Sequence, residues 1–362
     1  MRILLIGAGP MGSLLAAKLI EAKNDVTVMA RGQRLQDLRD FGIIIRNTKN
    51  CEEIHSNIKT VSSFAPDDDY ELVIIVMRKN QALQLLPTLA ANRRVKTFLF
   101  MMNNVLGAVP FADALGSERV MVGFPLPGGR REGHVIRVIS GTDKFKWTIP
   151  VGEIDGCIRN RTKKVADVLG KMPGYKVEVR KDMDAWLKTH VALLIPGLVG
   201  AIYATGTDAK RLANTRDALV LASRATKEAF KALQKKGITI APSLLKVVPF
   251  IPEPLFVLLL KKAATTKIME ISGIGHTTAA KDEMKMLIDE FMELIRGVDT
   301  KITSIEMLYP YFKSEQEPMP YGSHKIGVRW GELYLVVGVL VFIYSFLRPK
   351  RRKCRCLCCG CK

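Results

Sequence analysis

An apolar run, Ile3-Leu4-Leu5-Ile6, passes directly into Gly7-Ala8-Gly9-Pro10-Met11-Gly12 and a helical stretch, and a second run, Val26-Thr27-Val28-Met29, leads to Arg31. In a strand-turn-helix-strand unit the first glycine permits the tight turn, the second lets the backbone approach a pyrophosphate, and the third lets the helix lie close on the strand. The helix N-terminus then offers its free amides to phosphate. A glycine string alone is a weak signal, but here a strand precedes it and a helix follows. Gly7, Ala8, Gly9, Pro10, Met11 and Gly12 are therefore expected to bind a dinucleotide. An NAD site usually ends its second strand with Asp or Glu for the ribose 2′-hydroxyl. This chain offers Ala30-Arg31-Gly32, with Arg34 beyond, which reads as a site for the 2′-phosphate of NADPH.

Downstream patterning extends this α/β reading. Residues 37–41 read as a short helix and 42–46 as a strand. Tyr70-Glu71-Leu72-Val73-Ile74-Ile75-Val76-Met77 is nearly all apolar, as a buried parallel strand should be. Its carboxyl end carries Arg78-Lys79-Asn80-Gln81, where an open α/β sheet places ligand contacts. A further strand, Thr97-Phe98-Leu99-Phe100-Met101-Met102, ends at Asn103-Asn104. From Arg119 short β-prone segments, including Val135-Ile136-Arg137-Val138-Ile139, read as an edge extension of the sheet. Helical periodicity then takes over at 182–195, 208–236, 254–270 and 276–297, with breaks at Pro196-Gly197, Gly237, Pro249 to Pro254 and Gly273 to Gly275. The expected organisation is a Rossmann-type NADP-binding domain at 1–180 and an all-α substrate domain at 181–315. A linker at 316–332, an apolar membrane segment at 333–347 and a basic, Cys-rich tail at 348–362 complete it.

The chain has 55 Lys and Arg against 35 Asp and Glu, a net charge of +20 that favours anionic partners. Seven of the basic residues fall in the last fifteen positions, so the body gives nucleic-acid binding little support. Cys51 and Cys157 stand alone in the body, which suits a reducing compartment rather than a disulfide framework. The first apolar run is short and belongs to the nucleotide fold, so no signal peptide is expected.

With these residues in view, the chain resembles the ketopantoate reductase (2-dehydropantoate 2-reductase) family over roughly residues 1–310. The resemblance is carried by the glycine motif, Arg31, Arg78 after the fourth strand, Asn103 after the next, Gly128-Gly129-Arg130-Arg131-Glu132-Gly133, and Trp186-Leu187-Lys188 opening the helical domain. It implies NADPH-dependent reduction of the carbonyl of a small 2-oxo acid to a 2-hydroxy acid, with a small carboxylate as substrate. It further implies that Arg31 and Arg78 neutralise the 2′-phosphate end of NADPH, that Asn103 sits at the nicotinamide, that Gly129 lies at the cofactor, and that Lys188 is the catalytic group. An ammonium near the carbonyl both stabilises the developing oxyanion and can donate the proton.

Four family positions differ. Where the family helix after the lysine bears two asparagines this chain has Ala192 and Pro196, and where a later helix bears serine and glutamate it has Lys267 and Ala279. A charge-assisted bond contributes about 1.5–3 kcal/mol, so ketopantoate itself is a doubtful substrate. His190, two residues past Lys188, and His276, expected at the start of helix 276–297, are candidate proton donors or carboxylate binders, since either could titrate near neutral pH. Asp282 and Glu283 read as partners of that helix's dipole. With no carboxylate or thiol at ligand spacing, the histidines make no metal site. The alternative function is a non-catalytic NADP-binding sensor or scaffold tethered to a membrane.

The family fold should end near residues 309–312. Beyond it, Leu333 to Leu347 is uncharged, with Trp330, Tyr334 and Tyr344 as interfacial aromatics and a basic cluster following at once. Fifteen helical residues span about 22 Å, short of a roughly 30 Å hydrocarbon core, so a span and an interfacial seat are both open. A buried core or dimer-interface helix is the alternative, and a homodimer stays open with it. The five tail cysteines read as lipid acceptors, as a soft-metal cluster or as unstructured thiols. The expected location is membrane-associated with the catalytic domain facing the cytoplasm, the alternative being cytoplasmic.

Overall fold

The near-continuous apolar runs form the centre of a mostly parallel sheet in the computed structural model of the protein, which describes residues 1–48, 52–142 and 144–347. Strand β1 (Arg2–Ile6) lies between β2 (Asp25–Met29) and β6 (Leu72–Ile75). Beyond β2 is β5 (Lys59–Val61), and beyond β6 follow β7 (Phe98–Met101), β8 (Val120–Gly123), β11 (Trp147–Glu153) and β12 (Tyr175–Val179). Only the β8–β11 pair is antiparallel. Alternate residues serve two cores, as the two-residue period of a strand requires. Ile3 and Leu5 pack with Leu14 and Leu15 of helix α1 (Pro10–Glu21). Leu4 and Ile6 face Leu85 and Leu89 of α3 (Lys79–Ala91) and Phe111 of α4 (Val109–Leu115). Helix α2 (Gly32–Phe41) follows β2, and α5 (Asn160–Gly170) joins β11 to β12.

One β-prone segment departs from the expected edge extension. β10 (Val135–Val138) pairs with β9 (Gly129–Glu132) and, parallel, with β3 (Ile43–Asn47), while β4 (Glu53–Ser56) flanks β3, making a separate four-stranded sheet. The alternation in these strands explains the split. Ile43, Ile45, Ile136 and Val138 join the α1 core, whereas Arg46 and Arg137, opposite each other in register, lie on the other face. A strand with one polar face suits a half-solvated sheet, and the centre of a doubly covered sheet would bury that face.

The helical domain contains α6 (Met183–Leu194), α7 (Gly200–Ala204), α8 (Ala209–Asn214), α9 (Arg216–Lys235), α10 (Glu253–Ala264), α11 (Gly275–Ala279), α12 (Lys281–Leu294) and α13 (Thr303–Phe312). Pro196-Gly197 does not end a helix as expected. A widened π turn, Ile195–Val199, carries α6 into α7 as one rod. Gly197 is needed there because a Cβ would stand 2.4 Å from Thr226 Oγ1 and 2.5 Å from the Ala222 carbonyl, so α9 crosses in close contact. This rod, residues 183–204, is long and apolar enough to cross a membrane, yet most of it is buried in the helical domain. A second π turn, Met269–Ile274, runs into α11, and the chain breaks at Ala280, so the helix expected at 276 begins instead at Lys281.

Residues 316–332, expected as a linker, run along the helical domain as a strap. The Asp217 carboxylate accepts from the backbone amides of Lys325 at 2.9 Å and Ile326 at 2.8 Å, and from the Ser323 hydroxyl. Glu253, buried, pairs with Arg224 at 2.8 Å and accepts from the Arg329 amide at 2.9 Å. Glu332 accepts from Lys227 at 2.8 Å and from the Glu253 amide at 2.9 Å. A cut after Pro320 would therefore remove bonds of the helical domain as well as the apolar segment. Helix α14 (Trp330–Leu347) leaves from this strap and packs along α10, with Tyr334, Leu335, Val337 and Val339 exposed. Cys51 and the tail from 348 lie outside the described residues.

Burial pushes Asp217 and Glu253 up, but their hydrogen bonds outweigh it and hold both carboxyls below the ordinary range. Their stabilisation is therefore complete above the unfolded values near pH 4 and is lost as pH falls through the lower folded values. Glu253→Gln, which leaves Arg224 without its buried counter-charge, is expected to cost about 3–5 kcal/mol at pH 7. It should also flatten the acid limb between about pH 5 and 3. Urea unfolding across that range checks both.

Candidate active site

The glycine loop shows a separate reason for each glycine. Gly7 has φ +109°, and a Cβ there would stand 2.1 Å from the Val76 carbonyl at the end of β6. Gly12 lies against β1: a Cβ would fall 1.8 Å from the Gly7 carbonyl. Gly9 meets no protein atom within 4 Å of that point, so open space lies above it at the N-terminus of α1, where Pro10 is the first helical residue. A close-packed turn with an open middle glycine fits a dinucleotide pyrophosphate. Ala8 is held from below, its carbonyl accepting from Arg34 Nε at 3.0 Å and Ser13 Oγ at 3.2 Å. Met11 is half-buried against the same core. Arg34 is thus a buried brace under the loop and unavailable to a phosphate, whereas Arg31, just before α2, is exposed and has no side-chain partner among the described residues. Gly129 is required by packing, since a Cβ would stand 2.6 Å from Val138 Cγ1 and 3.5 Å from Pro10 Cβ, which places β9 beside the loop.

Three residues on the carboxyl rim of the sheet reach across to α12. Arg78 donates to Asp282 Oδ1 at 2.7 Å and to the Ala279 carbonyl at 2.5 Å, and Asn80 donates to Asp282 Oδ2 at 3.0 Å. Burial pushes Asp282 up, but these bonds and the Arg78 charge outweigh it and hold its carboxyl below the ordinary range. Asn103 donates to Glu283 Oε1 at 3.3 Å. Below them the buried Lys79 ammonium meets Glu290 at 2.7 Å. The dipole partners expected at 282 and 283 do occupy the first turn of α12, and they also accept the hydrogen bonds from the sheet rim.

Glu283 is the residue that sequence reasoning undervalued. It is 3% exposed, and burial pushes its carboxyl up, against the pull of His276 and Asn103. His276 Nε2 stands 3.9 Å from Glu283 Oε2. This histidine lies in α11, before the break at Ala280, and not at the start of the long helix. The available signal was a pair of acids placed directly after a helix break and opposite a basic rim.

Lys188 and His190 stand on α6. Lys188 Nζ is 2.5 Å from Asp184 Oδ2, with its side chain 14% exposed. A Cβ on Gly107 would stand 3.4 Å from Asp184 Oδ1, so this turn of α6 adjoins the loop that follows Asn103. His190 differs from the expected neutral-pH titrator. Its ring stacks on Trp186 with centroids 5.2 Å apart and lies tilted by 50° against Phe124 at 4.3 Å, and burial pushes its pKa down to about 4. The imidazole is therefore neutral at pH 7. Ala192 and Pro196 are buried in the helical domain, Lys267 is exposed, and Ala279 gives its carbonyl to Arg78. A cavity of about 610 Å³ between α12 and α13, lined by Asp289, Tyr309 and Lys313, contains none of the rim residues.

Sheet, glycine loop and facing helices together make an α/β fold with an N-terminal sheet domain and a helical C-terminal region. Residues 3–149 match the family model described as ketopantoate reductase PanE/ApbA. A comparison with curated proteins finds no match. Among solved structures, the chain is similar to 2-dehydropantoate 2-reductase from Geobacter metallireducens GS-15 (TM-score 0.70, 14% identity, covering 87% of this chain and 100% of that one). A PanE/ApbA family ketopantoate reductase from Ralstonia eutropha JMP134 aligns with TM-score 0.68 at 14% identity over 88% of this chain and 100% of that one. D-mandelate dehydrogenase, in a ternary structure with NADH and anilino(oxo)acetate, aligns with TM-score 0.70 at 13% identity over 87% and 98%. These likenesses establish the fold.

The two inner glycines separate folding from binding. Gly12→Ala, which drives a methyl group into the Gly7 carbonyl, is expected to destabilise the protein by about 1–3 kcal/mol. Gly9→Ala should leave the melting temperature unchanged and still weaken any dinucleotide binding at the loop, because its methyl group occupies the space above it. Thermal melts and cofactor fluorescence titrations distinguish the two.

Proposed function

We propose that the protein is an NADPH-dependent reductase of a small 2-oxo acid, with the acid held between the sheet rim and the helical domain. The observation that carries this reading is that Asn103 donates to buried Glu283 at 3.3 Å while the Lys188 turn of α6 adjoins the loop that follows Asn103. When bound, NADPH would supply the hydride. The Lys188 ammonium would stabilise the developing oxyanion and donate its proton, while Asp184 holds it in place. Neutral His190, locked in its aromatic stack, would position α6 and supply no proton. Glu283, four residues beyond Ala279 across the break at Ala280, would stand in for the family's glutamate, its carboxyl buried and engaged by Asn103. Arg31 would take the 2′-phosphate, and Arg78 would join it by exchanging Asp282 for the cofactor.

The replacement of the family's polar contacts by Ala192, Pro196, Lys267 and Ala279 supports a substrate other than ketopantoate. A panel of 2-oxo acids scored by NADPH oxidation tests this reading. Lys188→Ala should abolish turnover on the best substrate. Activity unchanged in that variant would remove Lys188 from the chemistry, and no turnover of any acid by the wild type would favour the sensor reading. Arg31→Ala is expected to remove most of a preference for NADPH over NADH of about tenfold or more, since an ion-paired phosphate contributes roughly 1.5–3 kcal/mol. Equal affinities in the wild type would overturn the NADPH assignment. The exposed apolar side chains of α14, followed in sequence by Arg348 to Lys353, support a membrane anchor with the catalytic domains on the cytoplasmic side. The full chain should pellet with membranes and resist alkaline carbonate. Complete recovery in the soluble fraction would sink the anchor.

A further inference from the structure

We infer that the helical domain itself is seated on an anionic bilayer, through a corner beside α14 formed by the 3₁₀ segment Ser243–Phe250 and the first turns of α10. This rests on the reading of α14 as a membrane anchor. The corner is apolar and uncovered: Leu244 is 76% exposed and Phe250 78%, and Val247, Leu255, Leu258 and Leu259 are exposed with them. The two helical pieces meet at 116°, so the bend projects. It is also continuous with the anchor. The Glu253 amide donates to Glu332 at 2.9 Å, which brings the starts of α10 and α14 together three residues past Phe250, and α14 then packs along α10.

Charge identifies the occupant. Lys246, Lys261 and Lys262 are exposed beside the apolar residues and have no ion pair among the described residues, and six further basic residues follow α14 within positions 348–355. An apolar surface rimmed by ammonium groups suits a bilayer carrying anionic headgroups, with the leucines and Phe250 entering the acyl boundary and the lysines meeting the phosphates. A second copy fits poorly, because a two-fold contact on this face would set lysines against lysines. Seating by both α14 and the corner would fix the orientation of the helical domain, and with it the cleft, relative to the membrane.

The test uses the full chain on phosphatidylcholine vesicles with and without phosphatidylserine, made with ordinary or brominated acyl chains. An interfacial apolar face sits about 5–10 Å into the headgroup and acyl boundary. The emission added by Phe250→Trp should therefore fall about twofold or more on brominated anionic vesicles, while that added by Phe41→Trp, on the other domain, should not. Lys261→Glu/Lys262→Glu should shrink the difference in Phe250→Trp quenching between anionic and neutral vesicles by about twofold or more. Equal quenching at 250 and 41 in protein that still floats with vesicles would overturn the corner while leaving the anchor standing. Wild-type protein that does not float would overturn the anchor reading and this inference with it. Unquenched emission together with a concentration-dependent dimer, broken by Leu244→Glu/Phe250→Glu, would assign the face to a second copy and also overturn it.

Discussion

The contact between Gly12 and the Gly7 carbonyl leaves no room for any side chain, and the geometry of the nucleotide rim follows from it. Because α1 lies this close to β1, its N-terminus points along the sheet's carboxyl edge, and Gly9 is left open above it. The same closeness lets one helix serve two sheets, with Leu14 and Leu15 packed on Ile3 and Leu5 while Ile136 and Val138 join from the smaller sheet. Arg34 then braces the loop through Ala8 and Ser13. A buried guanidinium that donates to a carbonyl and a hydroxyl is costly unless those bonds are kept, which ties the loop's shape to the integrity of α2.

Chemistry at the rim depends on how two domains share charges. Arg78 and Asn80 engage Asp282 and Asn103 engages Glu283, so residues about 200 positions apart form a single polar seam. Arg78 holds an anionic oxygen at 2.7 Å. A phosphate would meet a guanidinium that is oriented and partly desolvated, at the cost of displacing a carboxylate.

Much of the nucleotide half was legible in the sequence because its signals are local. Apolar runs of four to eight residues, glycines in register and polar residues at strand ends all act within one βαβ unit. What was hidden depends on long-range contact. β10 finds β3 across some ninety residues, and the choice is made by which face of α1 needs covering. Pro196-Gly197 reads as a break by propensity, yet the close approach of α9 at Gly197 favours a widened turn in a continuous rod. His190 has the composition of a proton donor, and only its packing between Trp186 and Phe124 shows that burial keeps it neutral. Glu283 looked like an ordinary first-turn acid until the fold placed it against Asn103. The Pro-flanked stretch after 315 looked like a linker because its partners, Asp217 and Glu253, lie far earlier in the chain.

The buried pair Lys79–Glu290 carries a kinetic consequence. It joins the first turn of α3 to α12, and its two side chains are 3% and 14% exposed. Any motion that parts the domains there must leave both charges unpaired or wet, an uphill step of about 3–5 kcal/mol. Salt screens such a pair far less than it screens surface charges. Wide opening would then be a rare excursion, visited roughly once in some hundreds to thousands of fluctuations. Traffic into the cleft would be metered by that excursion, giving slow exchange that is insensitive to ionic strength even though the protein's surface is strongly basic.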